Sequence, residues 1–198
     1  MKALFKNGYI YIYESRMFRR SDVLVEDGII KGVFEPGEVL EYDKEIDLAG
    51  KYLIPGLVDI HTHGRGGHDF NFIDDKAVAL MRRSYAEAGT TTVMATLASA
   101  ELTELYHSAE VIGRHRTSDK GLATLAGIHL EGRYLNPKRR GAHNPDLLAP
   151  LDPEELEKLA EAMMPLPLHV SAAFELDEGY KFLDCAIKLG ATCSLAHS

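Results

Sequence analysis

The fold is decided by one stretch, Leu53-Ile-Pro-Gly-Leu-Val-Asp-Ile-His61-Thr-His63-Gly64. Its apolar run is too short for a globular helix, starts after a Pro-Gly turn and ends on two histidines. This pattern is typical of a fully buried parallel strand whose carboxyl end carries chemistry. Residues i and i+2 of a strand point to the same face, so His61 and His63 project together. A lone histidine would indicate packing or solvent contact, but the pair predicts a metal site.

Composition and charge restrict the class of protein. The chain has 198 residues, of which 45% are hydrophobic and 26% charged, and this predicts a globular protein with a substantial core. Its net charge of −8 and the lack of a basic tract argue against nucleic acid or an anionic membrane as a partner. No apolar run is long enough for a membrane span, and the N-terminus lacks the apolar core of a signal peptide. Two cysteines, Cys185 and Cys193, do not make a disulfide framework and favour a reducing cytoplasm.

Residues 1–50 read as short strands, and we expect them to form a small β-sandwich lobe with a structural role. The segment Ala3–Tyr13 alternates around Asn7-Gly8. Asp22–Phe34 is a predicted hairpin with Asp27-Gly28 at its turn, which is a strong hairpin signal. A further pair of short strands is expected in Glu38–Leu48.

Residues 51–198 alternate strands with helices, which predicts right-handed β/α units and a parallel sheet. Acidic or proline-containing starts and glycine stops mark the helices. The predicted strands are Leu53–Ile60, Thr91–Thr96, Ala123–Leu130, Leu168–Ala173 and Thr192–Ala196. The predicted helices run from Asp74-Asp75 to Gly89, from Ala100 to His115, onward from Asp152-Pro153, and from Asp177 to Leu189.

Chemistry-bearing residues follow several of these strands. His61 and His63 follow the first strand, Glu131 ends the third, and His197 ends the fifth. Because the carboxyl ends of parallel strands form the site in such sheets, we expect these side chains to meet there. Asn71 and Thr96 are expected near the same rim.

Two alternatives stay open at this stage. A buried carboxylate needs a metal bond or a cationic partner, so Glu131 could instead form a salt bridge with Arg133 or Arg139. His197 taken alone is as consistent with packing or solvent contact as with metal binding.

Several segments of the sequence carry a family resemblance. Pro55-Gly56-Leu-Val-Asp59-Ile-His61-Thr-His63 resembles the amidohydrolase superfamily. Three further segments narrow the resemblance to the N-acetylglucosamine-6-phosphate deacetylases, and Leu195-Ala-His197-Ser198 fits the next ligand strand of that family. These three segments are Gly127-Ile-His-Leu-Glu131-Gly132, Asn136-Pro137-Lys138 and Gly141-Ala142-His143-Asn144-Pro145.

The resemblance implies a (β/α)₈ TIM-type barrel of the metal-dependent amidohydrolase kind, with its ligands at the residues named above. Glu131 and His197 would bind the catalytic divalent metal, and His61 and His63 a second one, giving one or two ions per chain. Zn²⁺ suits such mixed ligands, as do Fe²⁺, Mn²⁺ and Co²⁺.

The implied reaction is metal-assisted hydrolysis of the acetamide of N-acetylglucosamine 6-phosphate, with a metal-activated water as nucleophile. Ala142 and His143 would contact this amino-sugar phosphate, with His143 near the scissile carbonyl. The family's general base is an aspartate on the last barrel strand, which we expect beyond residue 198. Family members are usually homodimers.

The sequence also departs from the family pattern. A complete barrel needs eight strands and about 250 residues, whereas residues 51–198 supply about the first five β/α units. We therefore expect the N-terminal portion of a deacetylase, inactive by itself. Arg133-Tyr134 replaces a usual Pro-Phe, and Ala173-Phe174-Glu175 replaces a usual Ala-Pro-Glu. Arg133 would either attract an anionic substrate group or pair with a surface carboxylate.

Two other functions remain. The parent protein could be a different metal-dependent amidohydrolase, acting on a cyclic amide or another N-acetylated sugar. Alternatively, the chain could be a truncated, non-catalytic product that folds only with a partner, because an open sheet leaves edges unpaired.

Overall fold

The computed structural model describes residues 1–116 and 121–198. The chain forms two compact units, Met1–Pro55 and Gly56–Ser198. The structural role expected for residues 1–50 and the metal-site role expected for 51–198 stay predictions. No helix in the described ranges is long and apolar enough to cross a membrane.

The first unit is built on one five-stranded sheet in which β1 is central. The order is β3-β2-β1-β4, and β5 also pairs with β1. Asp27 and Gly28 both adopt positive φ, the turn geometry that joins a two-residue hairpin, so the predicted hairpin is confirmed. The strands are β1 (Lys2–Ile12), β2 (Met17–Glu26), β3 (Ile29–Phe34), β4 (Lys44–Asp47) and β5 (Tyr52–Leu53).

Two predictions for this unit need correction. The β-sandwich is not confirmed, because the described strands of this unit pair edge to edge in a single sheet. The strand pair predicted in Glu38–Leu48 is wrong: Lys44–Asp47 is its only strand, and it pairs in parallel with β1 rather than with a neighbour of its own segment. Asn7, within the segment expected to alternate, has a φ of 59° and lies at a bulge in β1.

The second unit is α/β, as predicted, with a parallel sheet in the order β12-β11-β10-β9-β6. A two-stranded antiparallel hairpin, β7 with β8, follows β6. The strands are β6 (Leu57–Thr62), β7 (Gly64–Arg65), β8 (His68–Asp69), β9 (Thr90–Leu97), β10 (Thr124–Glu131), β11 (Leu168–Ala172) and β12 (Thr192–Leu195), and the helices are α1 (Asp75–Glu87), α2 (Leu102–Arg114), α3 (Pro153–Met163) and α4 (Lys181–Lys188).

Side-chain caps fix the starts of α1 and α3. The Asp74 carboxylate accepts a hydrogen bond from the backbone N–H of Ala77 at 2.7 Å, and Asp152 caps α3 in the same way. The fourth helix is shorter than predicted. Gly179 and Tyr180 adopt φ values of 74° and 58°, so two 3-10 turns precede α4 and the helix begins only at Lys181.

One continuous core fixes the strand ends. Apolar side chains of β9, β10 and β11 pack with the inner faces of all four helices in a single buried cluster. Each helix is therefore held against the sheet, and the carboxyl ends of the strands are held in fixed positions.

The first predicted barrel strand differs from expectation in two ways. Leu53 belongs to β5 and pairs with Ile10, and β6 begins only after Pro55-Gly56, where the proline interrupts the extended run. The strand is also not fully buried: Leu57, Val58 and Ile60 are 52%, 62% and 65% exposed. The reason is that β6 lies at the edge of the sheet, with β9 as its neighbour on one side.

Candidate metal centre

The predicted ligands lie at the carboxyl ends of three strands. Glu131 is the last residue of the central strand β10, His61 lies in β6 with His63 one residue beyond its end, and His197 lies two residues beyond β12. Because β6 and β12 are each two strands away from β10, the histidines approach Glu131 from opposite sides.

Three imidazole rings converge on the Glu131 carboxylate. The Nε2 atoms of His61 and His63 lie 3.0 Å and 2.9 Å from its Oε2 atom. The Nε2 atom of His197 lies 3.2 Å from Oε1. Glu131 itself is 6% exposed, so the carboxylate depends on these partners rather than on water.

The charge of this cluster follows from the same contacts. Burial favours the neutral carboxyl, but the hydrogen bond from His63 and the charges of His61 and His63 outweigh it and lower the pKa of Glu131 to about 2. The hydrogen bond to Glu131 in turn raises the pKa of His63. Glu131 is therefore an anionic carboxylate surrounded by ring nitrogens.

These donors fit a divalent metal ion. Ligand atoms lie within 4.8 Å of one another in two groups, His61 with His63 and Glu131, and Glu131 with His143 and His197. The Nδ1 atom of His63 is buried and has no hydrogen-bond partner among the described residues. A mixed nitrogen and carboxylate set is typical of Zn²⁺ and of other first-row divalent ions.

The predicted substrate residues lie beside this cluster. The His143 ring lies 4.9 Å from the His197 ring, measured between centroids. Its Nδ1 atom lies 2.9 Å from the Ser99 hydroxyl. Burial lowers the pKa of His143. Ala142 is exposed in the turn that precedes His143. The ligand and substrate roles of all these residues stay predictions.

Of the two alternative partners of Glu131, Arg133 is engaged elsewhere. The Arg133 guanidinium donates to both carboxylate oxygens of Glu155, at 2.9 Å and 3.3 Å, and Tyr134 donates to the same group. The backbone carbonyl of Arg139 lies 3.0 Å from Nδ1 of His197. Arg133 therefore pairs with a partly exposed carboxylate, one of the two roles expected for it.

The other two rim residues organise the backbone. The Asn71 amide both donates to and accepts from the backbone of Ala98, just beyond β9. The Thr96 hydroxyl accepts a hydrogen bond from the backbone N–H of Thr62 and ties β6 to β9.

Sequence reasoning missed His129, which is buried beneath the cluster. Its Nε2 atom lies 2.8 Å from the Ser171 hydroxyl, and its ring lies 4.6 Å from that of His61. Burial, together with the nearby His169 and His61, lowers the pKa of His129 to about 4, so this ring is neutral at pH 7. A signal was present, because His129 and Glu131 are two residues apart on one strand and so share a face.

Comparisons with known proteins agree with the resemblance seen in the sequence. No protein-family model matches the chain. The N-acetylglucosamine-6-phosphate deacetylase of Bacillus subtilis is 31% identical over 177 residues, which cover 87% of this chain and 44% of that protein. The crystal structure of the deacetylase of the same name from Pasteurella multocida superimposes with a TM-score of 0.88 at 25% identity, covering 100% of this chain and 51% of that one. A D-hydantoinase structure gives a lower TM-score of 0.57 at 26% identity, covering 98% of this chain and 39% of that one.

The extent of these matches is as informative as their identity. The chain spans about half the length of the deacetylases that it matches. The match nevertheless runs through nearly all of this chain in the structural comparison. The resemblance is thus confirmed: the chain is related to the N-acetylglucosamine-6-phosphate deacetylases over about half of their length.

Proposed function

We propose that the protein carrying these residues is a metal-dependent deacetylase that converts N-acetylglucosamine 6-phosphate to glucosamine 6-phosphate and acetate. The observation that carries this proposal is the convergence of three histidine rings on the anionic Glu131 carboxylate. The similarity to deacetylases of that name supports the substrate.

In this proposal Glu131 and His197 hold the catalytic ion, and His61 and His63 hold a second ion when one binds. Zn²⁺ is the preferred ion, with Fe²⁺, Mn²⁺ and Co²⁺ as alternatives. A bound divalent ion would polarise the acetyl carbonyl and make a coordinated water more acidic.

The remaining residues act on the substrate. His143, which burial keeps neutral at pH 7, donates a hydrogen bond to the acetyl oxygen as negative charge develops there. Ala142 contacts the sugar. The proton on its way to the leaving amine passes through a carboxylate base, which the resemblance assigns to an aspartate of a later strand.

The proposal extends to the architecture and setting of the protein. The parallel sheet of β6, β9, β10, β11 and β12 would be the first five β/α units of a TIM-type barrel, and the first unit would be part of a small β lobe. A cytoplasmic location, with no nucleic-acid or membrane partner, agrees with the net charge of −8 and the two free cysteines. The homodimer is what the family resemblance implies.

The test is an activity assay on the protein encoded by the complete reading frame. We expect acetate release from N-acetylglucosamine 6-phosphate that disappears with a chelator and returns with Zn²⁺ or Co²⁺. N-acetylglucosamine without phosphate should react far more slowly. Metal-independent release, or none from any N-acetylated sugar, would contradict the proposal.

A second function is favoured by a specific likeness. The structural similarity to D-hydantoinase makes hydrolysis of a cyclic amide the runner-up. Turnover of a hydantoin or dihydropyrimidine in the same assay, with no acetate from the sugar phosphate, would select it. If metal binds but none of these substrates is turned over, the remaining hypothesis is that the chain is a non-catalytic product.

A further inference from the structure

The hydroxyl of Ser99 lies at the end of β9, next to the His143 ring. The Ser99 Oγ atom is 2.9 Å from Nδ1 of His143, and the Ser99 backbone nitrogen is 3.4 Å from the same Nδ1 atom. Both contacts are with Nδ1, and neither is with Nε2. This arrangement decides which nitrogen carries the ring proton.

A backbone N–H can only donate, so the Nδ1 atom that it faces must accept. The Ser99 hydroxyl oxygen already accepts a hydrogen bond from the backbone N–H of Arg133 at 2.9 Å. Its own proton is therefore free to point at Nδ1 as a second donor. A proton on Nδ1 would instead face the proton of the Ser99 backbone N–H. The neutral ring must then carry its proton on Nε2.

We propose that Ser99 is a positioning residue that holds His143 in the neutral tautomer with its proton on Nε2. This step rests on the proposed function in one respect, because it gives His143 an N–H with which to bind the acetyl oxygen of the substrate. This tautomer also prevents His143 from binding the metal ion. Its Nδ1 lone pair is engaged by Ser99 and its Nε2 atom is protonated, so the group formed by Glu131, His143 and His197 supplies two ligands rather than three.

The backbone around Ser99 is shaped for this contact. Gly132 has a φ of 149°, and a Cβ atom there would collide with the backbone nitrogen and hydroxyl of Ser99. Only a glycine therefore lets the end of β10 lie against Ser99.

The His143 ring is restrained on its other side as well. The His197 ring packs against it at 4.9 Å in an edge-to-face arrangement, and the Arg140 guanidinium donates to the His143 carbonyl at 2.7 Å. The ring is therefore held between Ser99 and the predicted metal ligand. A flip of the ring would exchange Nδ1 for a carbon atom opposite Ser99.

The test reads the tautomer directly from the ¹⁵N chemical shifts of the histidine ring nitrogens, in metal-free protein and again with Zn²⁺. His143→Gln identifies the His143 signals by their loss. We expect an unprotonated Nδ1 and a protonated Nε2 in both states. Ser99→Ala keeps the longer backbone contact at 3.4 Å but loses the hydroxyl donor at 2.9 Å, so it should reduce the fraction with Nε2 protonated. Ser99→Thr, which keeps the hydroxyl, should restore it. The control is Ser84→Ala, because the Ser84 hydroxyl lies on α1 and accepts a hydrogen bond from Arg65.

Two results would overturn the proposal: a protonated Nδ1 in the wild-type protein, or identical His143 signals in wild type and Ser99→Ala. In the deacetylase assay, we expect Ser99→Ala to lower kcat about 10- to 100-fold and Ser99→Thr to recover most of it. The spectra do not depend on turnover. If the predicted tautomer is observed in a protein that releases no acetate, the proposed function fails while the assignment of Ser99 holds.

Discussion

At the scale of single residues, the Glu131 carboxylate is the centre of the candidate site, because three imidazole rings contact its two oxygen atoms. The sequence was enough to predict that these side chains lie close together. His61 and His63 are two residues apart at the end of one predicted strand, and Glu131 ends another. The role of Ser99 was not predictable in the same way. Serine at a strand end is common, and only the fold brings it to His143, 44 residues later.

The pKa of Glu131 predicts how acid affects the metal-free protein. Burial opposes ionisation of this carboxyl, but the contacts with His63 and His61 lower its pKa from 4.5 to about 2. A lowered pKa contributes stability that is complete above pH 4.5 and is lost as the pH falls towards 2. The raised pKa of His63 contributes stability that is present below pH 6.5 and is lost as the pH rises through the folded value.

We therefore expect the difference in unfolding temperature between wild type and Glu131→Gln, both without metal, to shrink as the pH falls from about 5 to about 2. Circular dichroism during heating measures it. Glu110→Gln, on the exposed face of α2, serves as the control variant. A difference that stays constant through this range would show that the ion pairs of Glu131 do not stabilise the fold.

His143→Ala tests the predicted substrate contact. Loss of one hydrogen-bond donor to a developing oxyanion lowers kcat about 10²- to 10³-fold. The metal content should not change, because the ring is not among the proposed ligands. The exposed His68, on the β7–β8 hairpin, provides a matched His→Ala control. Unchanged kinetics in His143→Ala would make the residue a bystander.

At the scale of elements, capping and turn chemistry gave most boundaries within a few residues. Asp74 and Asp152 cap α1 and α3 as their sequence patterns indicate. The errors have local causes. Pro55-Gly56 divides the first predicted strand, and the positive φ angles at Gly179 and Tyr180 delay α4. Neither a strand break nor a left-handed tyrosine is visible in hydrophobic periodicity.

The contact between the loop after β10 and α3 predicts a stability effect at Tyr134. This fully buried side chain donates its hydroxyl proton to Glu155 at 3.0 Å, beside the Arg133 pair. Tyr134→Phe restores the residue usual in the family, yet in this chain it leaves the partly exposed Glu155 carboxylate with one donor fewer. We expect a loss of about 1 to 3 kcal/mol in the free energy of unfolding, measured with urea. Tyr180→Phe, at an exposed tyrosine, should stay within about 0.5 kcal/mol of wild type, and an equal effect of both changes would contradict this account.

At the scale of the whole molecule, the parallel sheet could be predicted but the exposure of its first strand could not. Alternating strands and helices predicted a parallel sheet, and the sheet runs β12-β11-β10-β9-β6. An apolar run such as residues 57–60 predicts a buried strand, because hydrophobicity indicates which side chains are able to be buried. It does not report whether a neighbour is present, and these residues are exposed at the sheet edge.

This edge predicts self-association of the 198-residue chain. Val58 and Ile60 share one face of an edge strand and are 62% and 65% exposed. We expect sedimentation to show species heavier than the 21.9 kDa monomer at high concentration. The double change Val58→Lys with Ile60→Lys should shift the distribution towards monomer. Val39→Lys, at a loop residue that is 96% exposed, is the control. Equal sedimentation of the two variants would exclude this edge as the associating surface.

Metal binding by Glu131 tests the central claim most directly. Calorimetric titration of the metal-stripped protein with Zn²⁺, with elemental analysis of the product, should give one or two ions per chain. Glu131→Gln removes the proposed anionic ligand and should abolish tight binding, whereas Glu110→Gln should bind as the wild type does. Stoichiometric, undiminished zinc binding by Glu131→Gln would contradict the metal centre described for this molecule.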